Sequence, residues 1–449
     1  MDVSRGHTTL LAHDPSEFVP AAVVFRHHGI ALSEVCKVRK SPAPCPTKMP
    51  LRGQATSLPS NVSRQCRDPV RMRFPGQMIC CLRLFGNFLA GHGGQGAMVV
   101  RRLRRLLACL MVTLSLQVEL PAVQPPEAVH GFRWKRETEM AAWRPRDSSG
   151  EVVFHDRLWL MGGWFDSYSA PPRDVWSSAD GVIWTEVTSQ APWKYSDLPM
   201  TVAFRDRMWL MGGWYNGRLE GHGATSEVWA SANGRDWERV TEAAGWSPRL
   251  AGGLVQFQEK LWVLGGTENY YFGDQNSLRS DVWSSSDGRQ WDQVTASAGW
   301  SPRAYHQAVV HDGKLWVLGG GNYVPEYSAK NDVWCSEDGV HWTEVTSNAA
   351  WSPRLWFSAV SWKGHLWVLG GWSGNPYKNH GDIWYSKDGR TWTQLLCPEV
   401  WKERHEHSAF VFRDKLWVAG GHAQPLSNDV WSLELPKNFA AAATSGDPQ

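Results

Sequence analysis

His405, Glu406 and His407 set two imidazoles and a carboxylate in successive positions, and His422 follows close behind. On a strand, His405 and His407 share one side, because side chains alternate there. Imidazole with carboxylate is the donor set of a zinc-class ion and also of an acid–base pair. The spacing does not follow a metal-ligand motif, and His407 has a counterpart in His306. Metal binding is therefore set aside and no cofactor is expected. Proton transfer stays open to Glu220, His222, Glu268, Glu326 and His405.

A second set of residues suits recognition. Trp164, Trp214, Trp356 and Trp372 fall outside the pattern that places most of the tryptophans. Near them lie Tyr215, Arg218, His222, Tyr270, Tyr271, Tyr323 and Glu326. Aromatic rings interleaved with polar groups suit the faces of sugars and the anchor residues of protein interfaces. With His405 and His422, these residues are the expected ligand-binding set.

The elements that carry them are periodic. Glycine pairs occur at 162, 212, 265, 319, 370 and 420, separated by steps of 50, 53, 54, 51 and 50 residues. Each pair closes a strand such as Leu315-Trp316-Val317-Leu318 and opens a loop of variable length. An acid-apolar-Trp triplet ends the loop, followed by Asp-Gly or Asn-Gly turns at 180, 233, 287, 338 and 388. Such dipeptides supply the positive φ that tight hairpins require. Two more tryptophans complete each unit. Twenty-four of the 29 tryptophans occupy four repeat positions, leaving Trp164, Trp214, Trp356, Trp362 and Trp372. A unit of about 50 residues with four short strands, a to d, is a propeller blade.

The sixth unit stops at Trp431 without a fourth strand, and Gly131-Phe132-Arg133-Trp134 supplies the missing piece. The expectation is an all-β, six-bladed propeller over residues 131–435, its last blade closed by an N-terminal strand. With strands alternating in direction, the b–c loops and d–a junctions share one face, which becomes the expected ligand face. A recurring arginine (Arg146, Arg249, Arg303, Arg354 and Arg404) is expected to pair with the triplet acids rather than to hold a ligand.

Ser301-Pro302-Arg303, His306, Gly319-Gly320, Asn331-Asp332-Val333-Trp334 and Trp342 together resemble the kelch motif, and the domain is similar to the propeller of galactose oxidase. The resemblance implies the fold and leaves the function wide. Galactose-oxidase chemistry needs copper and a cysteine–tyrosine crosslink; Cys335 and Cys397 are poorly placed for one, and that activity is not expected.

Composition narrows the partners. Residues 119–449 carry 30 basic and 39 acidic residues, a net charge of −9, which disfavours nucleic acid. Residues 1–97 hold five of the eight cysteines and none of the tryptophans, and are expected to be a mistranslated or disordered leader. Residues 98–122 resemble a signal peptide: Met98, four arginines, then the apolar run Leu106 to Leu116. That run is too short to span a bilayer, so no membrane insertion of the mature domain is expected. Residues 436–449 are expected to form a disordered tail. The overall expectation is an exported, periplasmic or extracellular module that binds a carbohydrate or a protein. The alternative is a metal-independent sugar isomerase or mutarotase, which exported six-bladed propellers resembling sialate mutarotase would imply.

Overall fold

The computed structural model describes residues 132–436 and Phe439. The expected leader and signal segments lie outside the described residues. The described chain forms six antiparallel four-stranded sheets. Blade 1 shows the plan, with strands a to d at Gly150–Phe154, Arg157–Met161, Val175–Ser178 and Thr185–Thr188. The other a strands are Met200–Phe204, Gly253–Phe257, Gln307–His311, Ser358–Trp362 and Ser408–Phe412. Each a strand packs against the a strands of both neighbouring blades, so the six close a ring around an axis.

The repeat residues make each blade and lock it to the next. In every blade the strand-b indole donates to a backbone carbonyl at the end of strand a, as Trp209 Nε1 does to Phe204 O at 2.9 Å. The turn glycine of the next blade covers that indole. A Cβ on Gly181 would lie 2.2 Å from the Trp417 ring, and one on Gly234 would lie 2.2 Å from Trp159. These turns therefore need glycine twice, for positive φ and for the close approach. Trp362 is part of the repeat after all. It ends strand a where other blades carry Phe154, Phe204, Phe257 or Phe412, and its carbonyl accepts from Trp367 Nε1 at 2.9 Å.

The last blade is built from both ends of the described chain. Arg133–Thr138 forms its outer strand against Val430–Glu434, with Trp134 opposite Leu433. Pairing across this seam covers the outer side of Val430–Glu434, which would otherwise be an open edge. The blade has no c–d turn to cover the preceding indole, Trp367. Phe439 takes that place, its ring 5.8 Å from those of both Trp367 and Phe132. The segment after residue 435 thus contributes one buried core residue, contrary to its expected role as a mere tail.

The recurring arginines are structural. Arg146, Arg249, Arg303, Arg354 and Arg404 are all buried and make bidentate bonds to Asp174, Asp281, Asp332, Asp382 and Asp429. Burial alone would raise the Asp382 carboxyl, but Arg354 outweighs it and brings the pKa down to about 2. In the remaining blade, Ser196 replaces the arginine and bonds Pro172 O at 2.6 Å.

Candidate functional site

The chain turns from each blade into the next through a junction that begins at this arginine position. Two residues further on stand Ser148, Leu198, Ala251, Tyr305, Trp356 and Glu406, one per blade. All six have φ between 51° and 58°. None is glycine, and left-handed backbone costs such residues about 1–3 kcal/mol each. A girdle of hydrogen bonds holds them. Ser148 N donates to Glu406 O (3.1 Å), Leu198 N to Ser148 O (3.1 Å), Ala251 N to Leu198 O (3.4 Å), Tyr305 N to Ala251 O (3.0 Å) and Glu406 N to Trp356 O (2.8 Å). The girdle frames the mouth of an axial cavity of about 280 Å³.

The mouth is two-sided. Contiguous blades 6, 1 and 2 present His405 and Glu406, Asp147 and Ser148, Asp197 and Leu198. Blades 3, 4 and 5 present Leu250 and Ala251, Ala304 and Tyr305, Leu355 and Trp356 in the same registers. An ionisable arc therefore faces an apolar one. The aromatic wall is continuous: Trp356 lies 4.9 Å from Tyr305, 4.8 Å from Tyr323 and 5.2 Å from Trp372, ring centre to ring centre.

Asp147, Asp197, His405 and Glu406 are all enclosed, and Asp197 is 1% exposed. Both Asp197 carboxylate oxygens are buried, with the Ser148 hydroxyl beside them. Burial raises the Asp197 pKa well above the usual carboxylate range, and the charge of Asp147 adds to the rise. Burial and then the charges of Asp147 and Asp197 raise Glu406 in the same way. Asp147 is raised chiefly by burial, offset in part by His422, whose Nδ1 lies 3.3 Å from its carboxylate, and by the Ser148 hydroxyl at 3.1 Å. Burial pushes His405 well below the usual imidazole range, aided by His422 and His407. His405 Nε2 lies 3.6 Å from Glu406 Oε2. The arc therefore sets acids whose pKa values are raised beside one imidazole, His405, whose pKa is lowered. Deeper in the cavity, enclosure lifts Glu151 to about 8, against the opposing hydrogen bonds of Ala409 N–H and the Ser408 hydroxyl.

The sequence-derived site residues divide. Trp356 lines the cavity, and His405 and His422 lie behind it, His405 stacked on Trp356 at 5.5 Å and on His422 at 4.9 Å. Trp214, Tyr270, Trp356 and Trp372 belong to a buried cluster beneath the loops, so they are loop core rather than exposed contacts. Trp214 Nε1 bonds Gly217 O at 2.8 Å, and Trp164 is half-buried. Tyr215, Arg218, His222, Tyr271 and Tyr323 form a half-buried rim. Arg218 lies 4.1 Å over Tyr271, and His222 stacks on Phe272 at 4.4 Å.

The nominated acids do not converge. Glu220 and Glu326 are exposed, while Glu268 is paired with Arg279 at 2.5 Å. The enclosed acids are instead Asp147, Asp197 and Glu406. A signal for the first two was present, since acids follow the arginine position in two blades where three others carry Leu250, Ala304 and Leu355.

The described residues form a six-bladed β-propeller. Residues 253–447 match the family model described as the KLHDC2/KLHL20/DRC7 Kelch-repeats domain. The chain is also similar to the Ras guanine nucleotide exchange factor F of Dictyostelium discoideum, with 31% identity over 107 residues. That similarity covers 22% of this chain and 9% of the length of the relative.

Proposed function

We propose that the protein is a binding module whose ligand is another protein, held on the face formed by the b–c loops and d–a junctions. The kelch fold is the general ground for a protein ligand. The observation that carries the reading is the two-sided mouth with its aromatic and arginine rim. Phe272 and Tyr377 are about half exposed there, at 50% and 56%, beside Arg218, Tyr271 and Tyr323. Such residues anchor interfaces when a partner desolvates them. Export through the segment beginning at Met98 belongs to this reading, on the strength of its basic and then apolar sequence.

A photo-crosslinking residue placed at Tyr323 or Phe272 tests the reading against one at Ile183 or Val340, exposed in c–d turns on the opposite face. Discrete protein adducts from the first pair alone support it. Equal adducts from both faces, or binding on a glycan array without protein adducts, count against it.

A sugar mutarotase is the second reading. It is favoured by the carboxyl–imidazole pairs Asp147–His422 and His405–Glu406 at 3.3 and 3.6 Å, within reach of proton exchange through one water. Polarimetry on reducing sugars, with Glu406→Gln as the inactive comparison, tests it.

A further inference from the structure

We propose that Asp147, His405 and His422 form a binding site for a divalent transition-metal ion of the zinc class at the mouth of the propeller. Each residue offers one donor atom, and the three donors all lie within 4.8 Å of one another. Two imidazoles and a carboxylate are a borderline donor set, suited to zinc, cobalt or nickel rather than to calcium or magnesium. The inference does not depend on what partner the module binds.

Second, the groups behind the donors fix their orientation. Asn379 Nδ2 donates to His422 O at 2.9 Å, which points its Oδ1 the other way, to His405 Nδ1 at 2.7 Å. The His405 proton therefore sits on Nδ1, and the Nε2 lone pair is left to face the arc. A carbonyl oxygen behind a ligating histidine is the usual device for fixing its tautomer. The same amide ties down the backbone of His422.

The backbones of the three residues are equally constrained. His422 N donates to His405 O at 2.9 Å, and Asp147 N donates to Trp164 O at 3.1 Å. His405 and Asp147 come from neighbouring junctions of the girdle, joined by the Ser148–Glu406 backbone bond.

Asp197, buried beside Asp147, places a second carboxyl group next to the triad.

Metal–donor bonds of about 2.0–2.2 Å require donors closer together than 4.8 Å, so loading must contract the triad. His422 Nδ1 is already 3.3 Å from Asp147. The rings of His405 and His422 are nearly parallel, with centres 4.9 Å apart, and must tilt to converge. His422 has the room to move, since its side chain is 29% exposed.

Cobalt(II) titrated into the chelator-treated full chain provides the test, read by visible ligand-field absorption. The proposal expects saturation at a single equivalent, displacement by zinc, and no displacement by calcium or magnesium at comparable concentration. His422→Ala and Asp147→Asn should each weaken binding at least about 10-fold, and Asn379→Ala by about 10-fold through loss of orientation. Glu326→Gln, at the exposed rim, should bind normally. His422 is partly exposed, so its variant should keep a native melting profile and separate lost ligation from lost folding. Absence of a saturable cobalt spectrum in the wild type overturns the site. So does binding that survives both His422→Ala and Asp147→Asn, or that magnesium displaces as readily as zinc.

Discussion

His422 Nδ1 lies 3.3 Å from the carboxylate of Asp147, although one residue enters the first blade and the other follows the last glycine pair. The contact exists because the ring closes. It brings the two ends of the propeller sequence into one ionisable arc, which meets the aromatic wall where His405 stacks on Trp356 with ring centres 5.5 Å apart.

The loop tryptophans carry stability. Trp214 and Trp372 are buried, at 1% and 7% exposure, among Tyr270, Trp356 and their neighbours. Trp214→Ala and Trp372→Ala should each cost about 3–5 kcal/mol in denaturant melts, as Trp262→Ala should in strand b. Phe272→Ala should cost only about 0.5–1 kcal/mol. Loop tryptophan variants as stable as the wild type would contradict this packing.

Much of the fold was legible because every blade solves the same local problem. Glycine pairs, Asp-Gly turns and spaced tryptophans recur because each blade needs the same hairpins and the same interlock, as Gly181 under Trp417 shows. The site was less legible. Asp147 meets His422 only through closure of the ring, so no spacing along the chain announces the pair. Trp214 and Trp372 were misplaced for a different reason. A residue outside the repeat need not face solvent when long loops build a core of their own. Trp362 shows the converse, a repeat position hidden by exchange of phenylalanine for tryptophan.

Interlock between blades can be separated from backbone strain. Gly181 has φ of 75° and no room for a Cβ against Trp417, whereas Gly313 has φ of 68° and open space around it. Gly313→Ala should cost about 1–2 kcal/mol from left-handed strain alone. Gly181→Ala adds overpacking and should cost about 2–4 kcal/mol. Equal losses on thermal unfolding would argue against the interlock.

The seam should depend on Phe439. Its ring fills the position that a turn glycine holds elsewhere, against Trp367, Phe132 and Tyr385. Phe439→Ala should lower stability by about 1.5–3 kcal/mol, the value of burying such a side chain. A variant ending at Leu435 should lose at least as much. No change in either melt would remove Phe439 from the seam.

Glu151 should impose a pH slope on stability. Enclosure raises its pKa from 4.5 in the unfolded chain to about 8 in the folded one. Between those values the folded state holds a proton that the unfolded state has lost, so stability falls as pH rises and levels off above about 8. Glu151→Gln should remove this component, gaining most over the wild type at pH 8 and above. Parallel pH–stability curves for the two proteins would show that the carboxyl is not held protonated.

The central claim is that ligand recognition belongs to the two-sided mouth. Its most direct measurement is the affinity of the partner captured by the crosslinker for variants on the two faces. Tyr323→Ala, at the rim, should weaken binding by about 2 kcal/mol or more while leaving the fold cooperative, and Val340→Ala, on the opposite face, should bind as the wild type does. Undiminished affinity in Tyr323→Ala together with loss in Val340→Ala would place recognition on the other face and contradict the account.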